Sequence, residues 1–425
     1  MGITLFAAFF AFVVLGVPIA IALGLSGVVA LALHSQVPLM VIVQKVYGGV
    51  DSFTLMAIPF FILAGNVMSS GGVSQRLVDL AGSILGRLPG GLAQVTTAAC
   101  TFFGAISGSA PATTAAIGSV MVKPMVDNGY DRAFAGAVAA ASGTIGLLIP
   151  PSITLVIYGV ITGVSIGKLF MGGILPGLLM SLALMTVNHV ISTRKGYRGG
   201  EPSSVKRIVH AGRRSIFALL MPVIILGGIY GGVFTPTEAA VVAVFYGLFV
   251  GFSIHRELKI GDLPSILLET GKSTAVIMFL IATAHIFSYL LASEQIPAKL
   301  TVAMLEVSRD PHVLLLMIVL SLLVVGTFLD NAVAVVLMTP IFYPVIMQAG
   351  IDPLYFGVLM ILVLAIGQVT PPVGLCLFVA CNIAKVGIES LSWKSVPYLF
   401  ALMAVVIVLI IVPDIILLIP SSMDF

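Results

Sequence analysis

Apolar runs long enough to cross a bilayer recur along the whole chain, and short polar stretches separate them. Examples lie at positions 5–33, 217–230, 239–252 and 399–419. A membrane-spanning helix needs about 20 mainly apolar residues, so the pattern predicts helices that lie in a lipid bilayer. We interpret the chain as an all-α, polytopic membrane protein without a water-soluble domain.

The composition supports this interpretation. Of the 425 residues, 59% are hydrophobic and 9% are charged, whereas soluble domains carry about 25% charged residues. The net charge of +3 indicates no nucleic-acid partner. The N-terminus is apolar from Ile3 onward and lacks the basic region and cleavage site of a signal peptide, so we expect a retained first membrane helix. The three cysteines have no metal-ligand spacing and are interpreted as packing residues.

Positive charge is concentrated at the centre of the chain. Residues 194–214 hold seven of the 20 Lys and Arg residues, together with a loop-like GGEPSS run at 199–204. Short basic loops stay in the cytoplasm. We therefore expect a basic cytoplasmic connector at 194–214, which separates a first repeat (1–193) from a second repeat (215–425).

The two halves resemble each other when one is shifted by 221 residues, the distance from Gly129 to Gly350. Under this shift Gly129, Asp131, Gly136, Ile145, Gly146, Pro150 and Pro151 coincide with Gly350, Asp352, Gly357, Ile366, Gly367, Pro371 and Pro372. Because Gly, Pro and Asp set turns and helix breaks, these identities indicate a duplicated unit. The same shift places Ser109 on Asp330.

The charges beside the two matching turns differ. Lys123 and Arg132 flank the first turn, whereas the matching turn at 344–353 contains Asp352 and no basic residue. Basic turns face the cytoplasm, so the two turns are predicted to lie on opposite sides of the membrane. Repeats of inverted topology are a recurring design of secondary transporters.

Each half also contains two segments that are poor simple helices. Gly108 and Pro111 disfavour a helix interior by about 1 and 3 kcal/mol, and a backbone opened at membrane depth must be buried or line a wet cavity. We therefore predict a re-entrant helical hairpin at about 92–125 and a helix at about 131–163 that is broken at its Pro-Pro pair. The equivalents in the second half are a hairpin at about 312–345 and a broken helix at about 353–385.

Broken helices free backbone carbonyl oxygens, which are suitable ligands for a hard cation. The alternative is that small residues only allow helices to approach closely. Asp330 favours a functional interpretation, since a carboxylate in an apolar run is costly unless it meets a cation or donors. Glu238 is interpreted as part of a helix cap, and His285 as an interhelical hydrogen-bonding residue.

Several motifs are similar to those of a known family. They are SFTLMAIPFFILAGNVM at 52–68, FGAISGSA at 103–110, IPPS at 149–152, GIDP at 350–353 and TPPVG at 370–374. In the same order and over nearly the whole chain, they resemble the large membrane (M) subunit of tripartite ATP-independent periplasmic (TRAP) transporters. The resemblance implies an elevator-type, ion-transporter-like carrier of the bacterial inner membrane that is coupled to Na⁺ and needs no other cofactor.

The resemblance also implies site residues and partners. One sodium site would contain Ser107, Ser109, Gly146, Ile149 and Pro151. The other would contain Gly326, Asp330, Gly367, Thr370 and Pro372. Expected substrate contacts are Ser109, Thr154, Ser165, Asp330 and Asn331. The implied partners are a small four-helix membrane subunit and a periplasmic binding protein that delivers a carboxylate, either a C4-dicarboxylate or a sugar acid such as sialic acid.

Two other functions remain open at this point. A self-sufficient sodium- or proton-coupled carrier of di- or tricarboxylates would use the same architecture without a binding protein. An intramembrane hydrolase would use Ser107 as its nucleophile, but a serine nucleophile needs a positioned base, and His285 is the candidate. ATP-driven transport has no support, because the phosphate-binding Gly-x-x-x-x-Gly-Lys-Ser/Thr motif does not occur. We therefore expect a transporter and not an enzyme.

Overall fold

The computed structural model describes residues 1–34, 38, 40–197, 199 and 204–422, and these form α-helices joined by short 3-10 and π-helical turns, with no strand among them. The helices of the first half are α1 (Gly2–Val14), α2 (Ile19–His34), α3 (Met40–Val50), α4 (Ala57–Ser70), α5 (Val73–Leu85), α6 (Gly91–Ser107), α7 (Ala110–Asp127), α8 (Arg132–Gly143), α9 (Ile153–Thr162) and α10 (Ile166–Lys195). Those of the second half are α11 (Val205–Tyr230), α12 (Pro236–Phe249), α13 (Leu263–Ser293), α14 (Ile296–Val307), α15 (Pro311–Phe328), α16 (Asn331–Gln348), α17 (Pro353–Gly367), α18 (Leu375–Ala384), α19 (Ile388–Ile411) and α20 (Asp414–Ser421).

Eight helical segments of the described chain are long and apolar enough to cross a membrane. The all-α, polytopic interpretation is therefore confirmed. The core lies around α17, in which every residue from Leu354 to Gly367 is buried. The helices α10, α15, α16 and α19 pack around it.

Polar residues begin several helices because their side chains accept hydrogen bonds from otherwise unpaired backbone N–H groups. Asp131 accepts from the N–H of Phe134 at 2.8 Å and begins α8. At α12, Glu238 accepts from the N–H of Thr235 at 2.8 Å, and the Thr235 hydroxyl accepts from the N–H of Glu238 at 3.3 Å. This reciprocal capping box confirms the helix-start interpretation of Glu238.

The segments predicted as hairpins are pairs of adjacent helices. α6 and α7 pack together and join at Gly108, and α15 and α16 join at 329–330. That both pairs are re-entrant stays a prediction. The broken helices are α8 and α9, separated by a 3-10 turn (Thr144–Leu147) and Pro150-Pro151, and α17 and α18, separated by Pro371-Pro372.

The two repeat-related turns lie at opposite ends of α10. At its C-terminal end, Tyr197 stacks on Tyr130 with ring centroids 4.3 Å apart, and its hydroxyl accepts from the N–H of Asp131 at 3.1 Å. Near its N-terminal end, a Cβ built on Gly172 would lie 3.1 Å from the side chain of Leu354, which follows the second turn. The two turns therefore lie at opposite ends of this long apolar helix, as inverted repeats require.

The basic connector is shorter than 194–214. Arg194 and Lys195 belong to the last turn of α10, and α11 already begins at Val205. Of the loop-like run, Gly199 and Ser204 are described, and Ser204 accepts from the N–H of Arg207 at 3.2 Å. Positions 198 and 200–203 lie outside the described residues.

The amphipathic helix α5 packs on its own chain. Its apolar side faces α6 and α11, and Leu77 is fully buried there. Arg76 forms an ion pair with Glu257 at 2.7 Å, and the Ser215 hydroxyl donates to the Arg76 carbonyl at 2.9 Å. Contacts inside the chain thus hold α5 in place.

The inverted repeat makes a prediction for cysteine labelling. Asp127 and Gln348 occupy equivalent positions under the repeat shift, and both are exposed. In a background without Cys100, Cys376 and Cys381, Asp127→Cys should react with an impermeant thiol reagent only from the cytoplasm. Gln348→Cys should react only from the periplasm. Labelling of both from one side would contradict the inversion.

Candidate functional site

The tip of the first helix pair touches the break between α8 and α9. Gly108 adopts a φ of +62° and ends α6, so the chain reverses there. A Cβ at this position would lie 2.6 Å from the Pro151 carbonyl oxygen. Only glycine therefore allows this tip to lie against the Pro-Pro break.

Three oxygen-bearing residues converge beside this tip. The hydroxyls of Ser107 and Thr113 lie 2.7 Å apart, and the Thr113 hydroxyl donates to the Ser109 carbonyl at 2.8 Å. A Cβ on Gly146 would overlap the Thr113 hydroxyl and lie 3.1 Å from the Ser109 carbonyl oxygen. The structure thus brings together Ser107, Ser109 and Gly146 as predicted. It adds Thr113, whose spacing of one helical turn from Ser109 was the available signal.

The remaining residues of the first predicted site are placed differently. The Ile149 side chain packs on α10, where a Cβ built on Gly177 would lie 2.6 Å from it. Its side chain is thus directed to α10. Pro151 faces the Gly108 tip through its carbonyl oxygen, so the backbone at this break lies beside the hydroxyl cluster.

In the second half, two glycines bring α15 and α17 into backbone contact. A Cβ on Gly367 would lie 2.6 Å from the Gly326 carbonyl oxygen. The Thr370 hydroxyl donates to the Ile366 carbonyl at 2.8 Å, close to this crossing. The predicted residue Pro372 instead lines a separate cavity of about 410 Å³ together with Trp393. The structure therefore joins Gly326 to Gly367, and the assignment of Pro372 to the site stays a prediction.

Asp330 lies between the two halves. Its carboxylate accepts from the N–H of Ala332 at 2.9 Å and begins α16. The same side chain lines a cavity of about 510 Å³ that also includes Ser107 and Ser109. The two repeat-related tip residues, Ser109 and Asp330, therefore share one cavity.

The opposite wall of this cavity, formed by α4 and α13, contributes Asn66, Ser273 and Lys272. Within the described part of the chain Lys272 forms no ion pair. Its position was missed in the sequence, although a lysine inside an apolar helix is itself a signal for a functional site. The cavity thus presents one cation and one carboxylate on facing walls.

The other expected substrate contacts differ in their surroundings. Asn331 is 2% exposed, and neither its amide nitrogen nor its amide oxygen has a hydrogen-bond partner among the described residues. Thr154 is buried and its hydroxyl lies 3.1 Å from that of Ser152. Ser165 begins α10 and lines a different cavity, of about 520 Å³. Asn331 follows Asp330 in the chain but, like Thr154, is not among the residues that line this cavity, and Ser165 lines the different one.

The geometry gives no support to a hydrolase. The Ser107 hydroxyl lies beside Thr113, and His285 contacts Gly49 of α3, where a built Cβ would lie 2.6 Å from its ring. The hypothetical nucleophile Ser107 and the hypothetical base His285 thus contact different residues and not each other. No cluster of His, Cys, Asp and Glu suited to a metal ion occurs in the ranges that the structure describes.

Comparisons with known proteins agree with this arrangement. Residues 6–415 match the family described as "Tripartite ATP-independent periplasmic transporter, DctM component". The isethionate TRAP transporter permease protein DctMQ of Oleidesulfovibrio alaskensis is 46% identical over 412 residues, which are 97% of this chain but 65% of that relative, less than two thirds of its length. The C4-dicarboxylate TRAP transporter large permease protein DctM of Pseudomonas aeruginosa is 40% identical over 94% of this chain and 93% of the relative.

One solved structure shows the fold. The Alcanivorax borkumensis YdaH transporter has a TM-score of 0.68 to this chain at 16% identity, and the match covers 96% of this chain and 97% of YdaH. At this identity the likeness concerns architecture alone. Together with the family match over nearly the whole sequence, it shows that the chain belongs to the DctM component family of tripartite ATP-independent periplasmic transporters, the large permeases of the bacterial inner membrane.

Proposed function

We propose that this permease takes up a small organic acid by secondary active transport coupled to sodium. The observation that carries the proposal is the cavity shared by both repeats, in which Ser107, Ser109 and Asp330 meet Lys272. Small-molecule sites combine an enclosed volume with a few convergent polar groups. Helix ends that converge at a repeat interface are where secondary transporters bind their substrates and ions.

Sodium coupling is supported by the oxygen atoms at the helix breaks. The Ser107 and Thr113 hydroxyls and the Ser109 carbonyl converge beside Gly146, and hard cations prefer such ligands. In the second half, Asp330 and the backbone at the Gly326–Gly367 crossing would form the other site. The coupling ion would neutralise part of the carboxylate charge of Asp330.

The substrate class follows from the charges of the cavity. Lys272 supplies a cation to an anionic substrate, and Asn66 and Ser273 on the same wall supply hydrogen-bonding groups. A carboxylate such as a C4-dicarboxylate or sialic acid fits this chemistry. A sulfonate such as isethionate, which appears in the name of the relative with 46% identity, is also an anion.

An elevator movement is proposed for the step that carries the substrate across. The cavity is lined on one side by the tips of the paired helices and on the other by α4 and α13. Displacement of the unit with α6–α9 and α15–α18 against α4 and α13 would move Ser109 and Asp330 together. Lys272 would stay behind on α13.

Two partners are proposed, a small membrane subunit and a periplasmic binding protein. Polar groups on the exposed face of α3 and α13 support the small membrane subunit. His285 is exposed on α13, and the Lys45 ammonium lies 4.6 Å from the ring centre of Tyr289. Polar groups facing lipid are costly, so a second subunit over this face would be stabilising.

The test is uptake in proteoliposomes that contain this protein, its small subunit and the loaded binding protein. An imposed inward sodium gradient without ATP should drive accumulation, and an equal potassium gradient should not. Sodium-independent uptake would contradict the coupling. Full uptake without the binding protein would instead favour the self-sufficient carrier, which is the second candidate.

A further inference from the structure

A chain of buried polar side chains joins four helices away from the proposed transport cavity. The Tyr398 hydroxyl of α19 donates to the amide oxygen of Asn188 on α10 at 2.6 Å. The amide nitrogen of Asn188 donates to the Thr97 hydroxyl of α6 at 2.8 Å. That hydroxyl lies 2.8 Å from the hydroxyl of Ser142 on α8. None of these four residues lines the cavity that contains Asp330.

The chain is sealed from solvent and from lipid. Tyr398, Asn188 and Thr97 are fully buried, and Ser142 is 1% exposed. The Asn188 amide nitrogen also donates to the Ala93 carbonyl at 3.1 Å. A buried polar group that loses its partner is destabilising. A shift of one of the four helices along its neighbour would break such a bond, so the chain favours one arrangement of α6, α8, α10 and α19.

The contact between Thr97 and Ser142 sets the position of α6 along α8. The two helices run in the same direction, because a second contact follows further along both. About two turns beyond Thr97, a Cβ built on Gly104 would lie 2.8 Å from Gly146, which follows Ser142 in the chain. α6 then ends at Ser107. A slip of α6 along α8 would therefore move the Ser107 hydroxyl relative to Gly146.

Polar side chains between membrane helices often serve only to hold the helices together. Two other contacts of α6 fit that role. The Thr101 hydroxyl lies 2.8 Å from that of Ser181, and the Gln94 amide donates to the Met185 carbonyl at 2.9 Å. Both join α6 to α10. The contact between Thr97 and Ser142 differs, because α6 and α8 both lead into the first predicted sodium site.

We propose that Asn188, Thr97 and Ser142 are positioning residues for the first sodium site, an inference that rests on the proposed sodium coupling. Asn188 orients the Thr97 hydroxyl, and this hydroxyl holds Ser142. The three residues thereby keep the register that places Ser107 beside Gly146. Sodium affinity then depends on a hydrogen bond that lies about 15 Å along α6 from the predicted ligand.

The test compares two neighbouring threonines of α6 in the purified complex of this protein with its small membrane subunit. Thr97→Val keeps the shape of the side chain and removes its bonds to Ser142 and Asn188. Thr96→Val is the matched control, because Thr96 is also fully buried and its hydroxyl donates within its own helix, to the Leu92 carbonyl at 2.8 Å.

Sodium stabilises a protein that binds it, so the melting temperature rises with the sodium concentration. The concentration that gives half of this rise should increase about fivefold in Thr97→Val and stay unchanged in Thr96→Val. Half-maximal uptake should shift by the same factor, while the KM for loaded binding protein at saturating sodium stays unchanged. Ser142→Ala should show the same shift, and the double variant with Thr97→Val should show no larger one, because both changes remove one interaction.

Three outcomes would overturn the inference. An unchanged sodium requirement in folded Thr97→Val would leave these residues a packing role alone, as would an equal increase in Thr96→Val. Additive effects of Thr97→Val and Ser142→Ala would show that the two residues do not act through one bond. Ser142→Ala decides the question if Thr97→Val does not fold. Sodium independence of the unmodified complex would overturn the proposed coupling itself, and this inference with it.

Discussion

Replacing Asp330 with alanine is expected to abolish uptake while the protein stays folded. The carboxylate lies in the cavity with Ser107 and Ser109 and also begins α16. Losing the helix cap costs about 1 kcal/mol of stability. Losing a charged ligand for an ion or donor costs about 3 kcal/mol, a decrease in uptake of about a hundredfold. Uptake and melting temperature measured on the same preparation check both parts.

Two variants separate the charge of Asp330 from its cap. Asn is an equally good N-cap residue, so Asp330→Asn should keep the melting temperature and raise the sodium concentration needed for uptake. Asp310→Ala removes the same kind of cap from α15, where Asp310 accepts from the N–H of His312 at 2.8 Å. It should lose stability and keep uptake per folded molecule. Normal uptake by Asp330→Ala would refute the site.

Replacing Lys272 with glutamine should cause the second-largest effect. Lys272 of α13 is the cation that lines the shared cavity, and it lies on the wall opposite Asp330. A hydrogen bond to a charged group contributes about 1.5–3 kcal/mol, so uptake of an organic anion should fall about tenfold to a hundredfold. The change should appear mainly as a raised apparent KM. Initial rates of uptake over a range of loaded binding protein measure it.

The controls for Lys272 test charge, shape and position separately. Lys272→Arg keeps the positive charge and should retain most of the uptake. Lys299→Gln removes an exposed lysine of α14 that is not part of the cavity, and it should behave as the unmodified protein. If Lys272→Gln transports with unchanged KM, the anion is bound by other groups of the cavity, and the role proposed for Lys272 is wrong.

Local sequence patterns were sufficient to predict the class of fold, the repeat and the positions of the breaks. Apolar periodicity and the Pro-Pro pairs act locally, because a proline removes a backbone donor wherever it stands. Glu238 was interpreted correctly for the same reason, since a capping box lies within four consecutive residues. The inversion was predicted from Lys123, Arg132 and Asp352, because charge next to a membrane helix reports its side.

Which polar groups share one cavity became apparent from the packing of the helices alone. Lys272 and Asp330 lie on different helices. No local sequence pattern determines which neighbouring helices the Lys272 side chain of the long helix α13 faces. Ser165 was predicted beside the substrate, but packing places it at a separate cavity. Thr113 entered the first site because Gly104 and Gly146 let two backbones approach, with a built Cβ on Gly104 2.8 Å from Gly146. Such approaches depend on contacts between distant segments, which short-range sequence patterns do not encode.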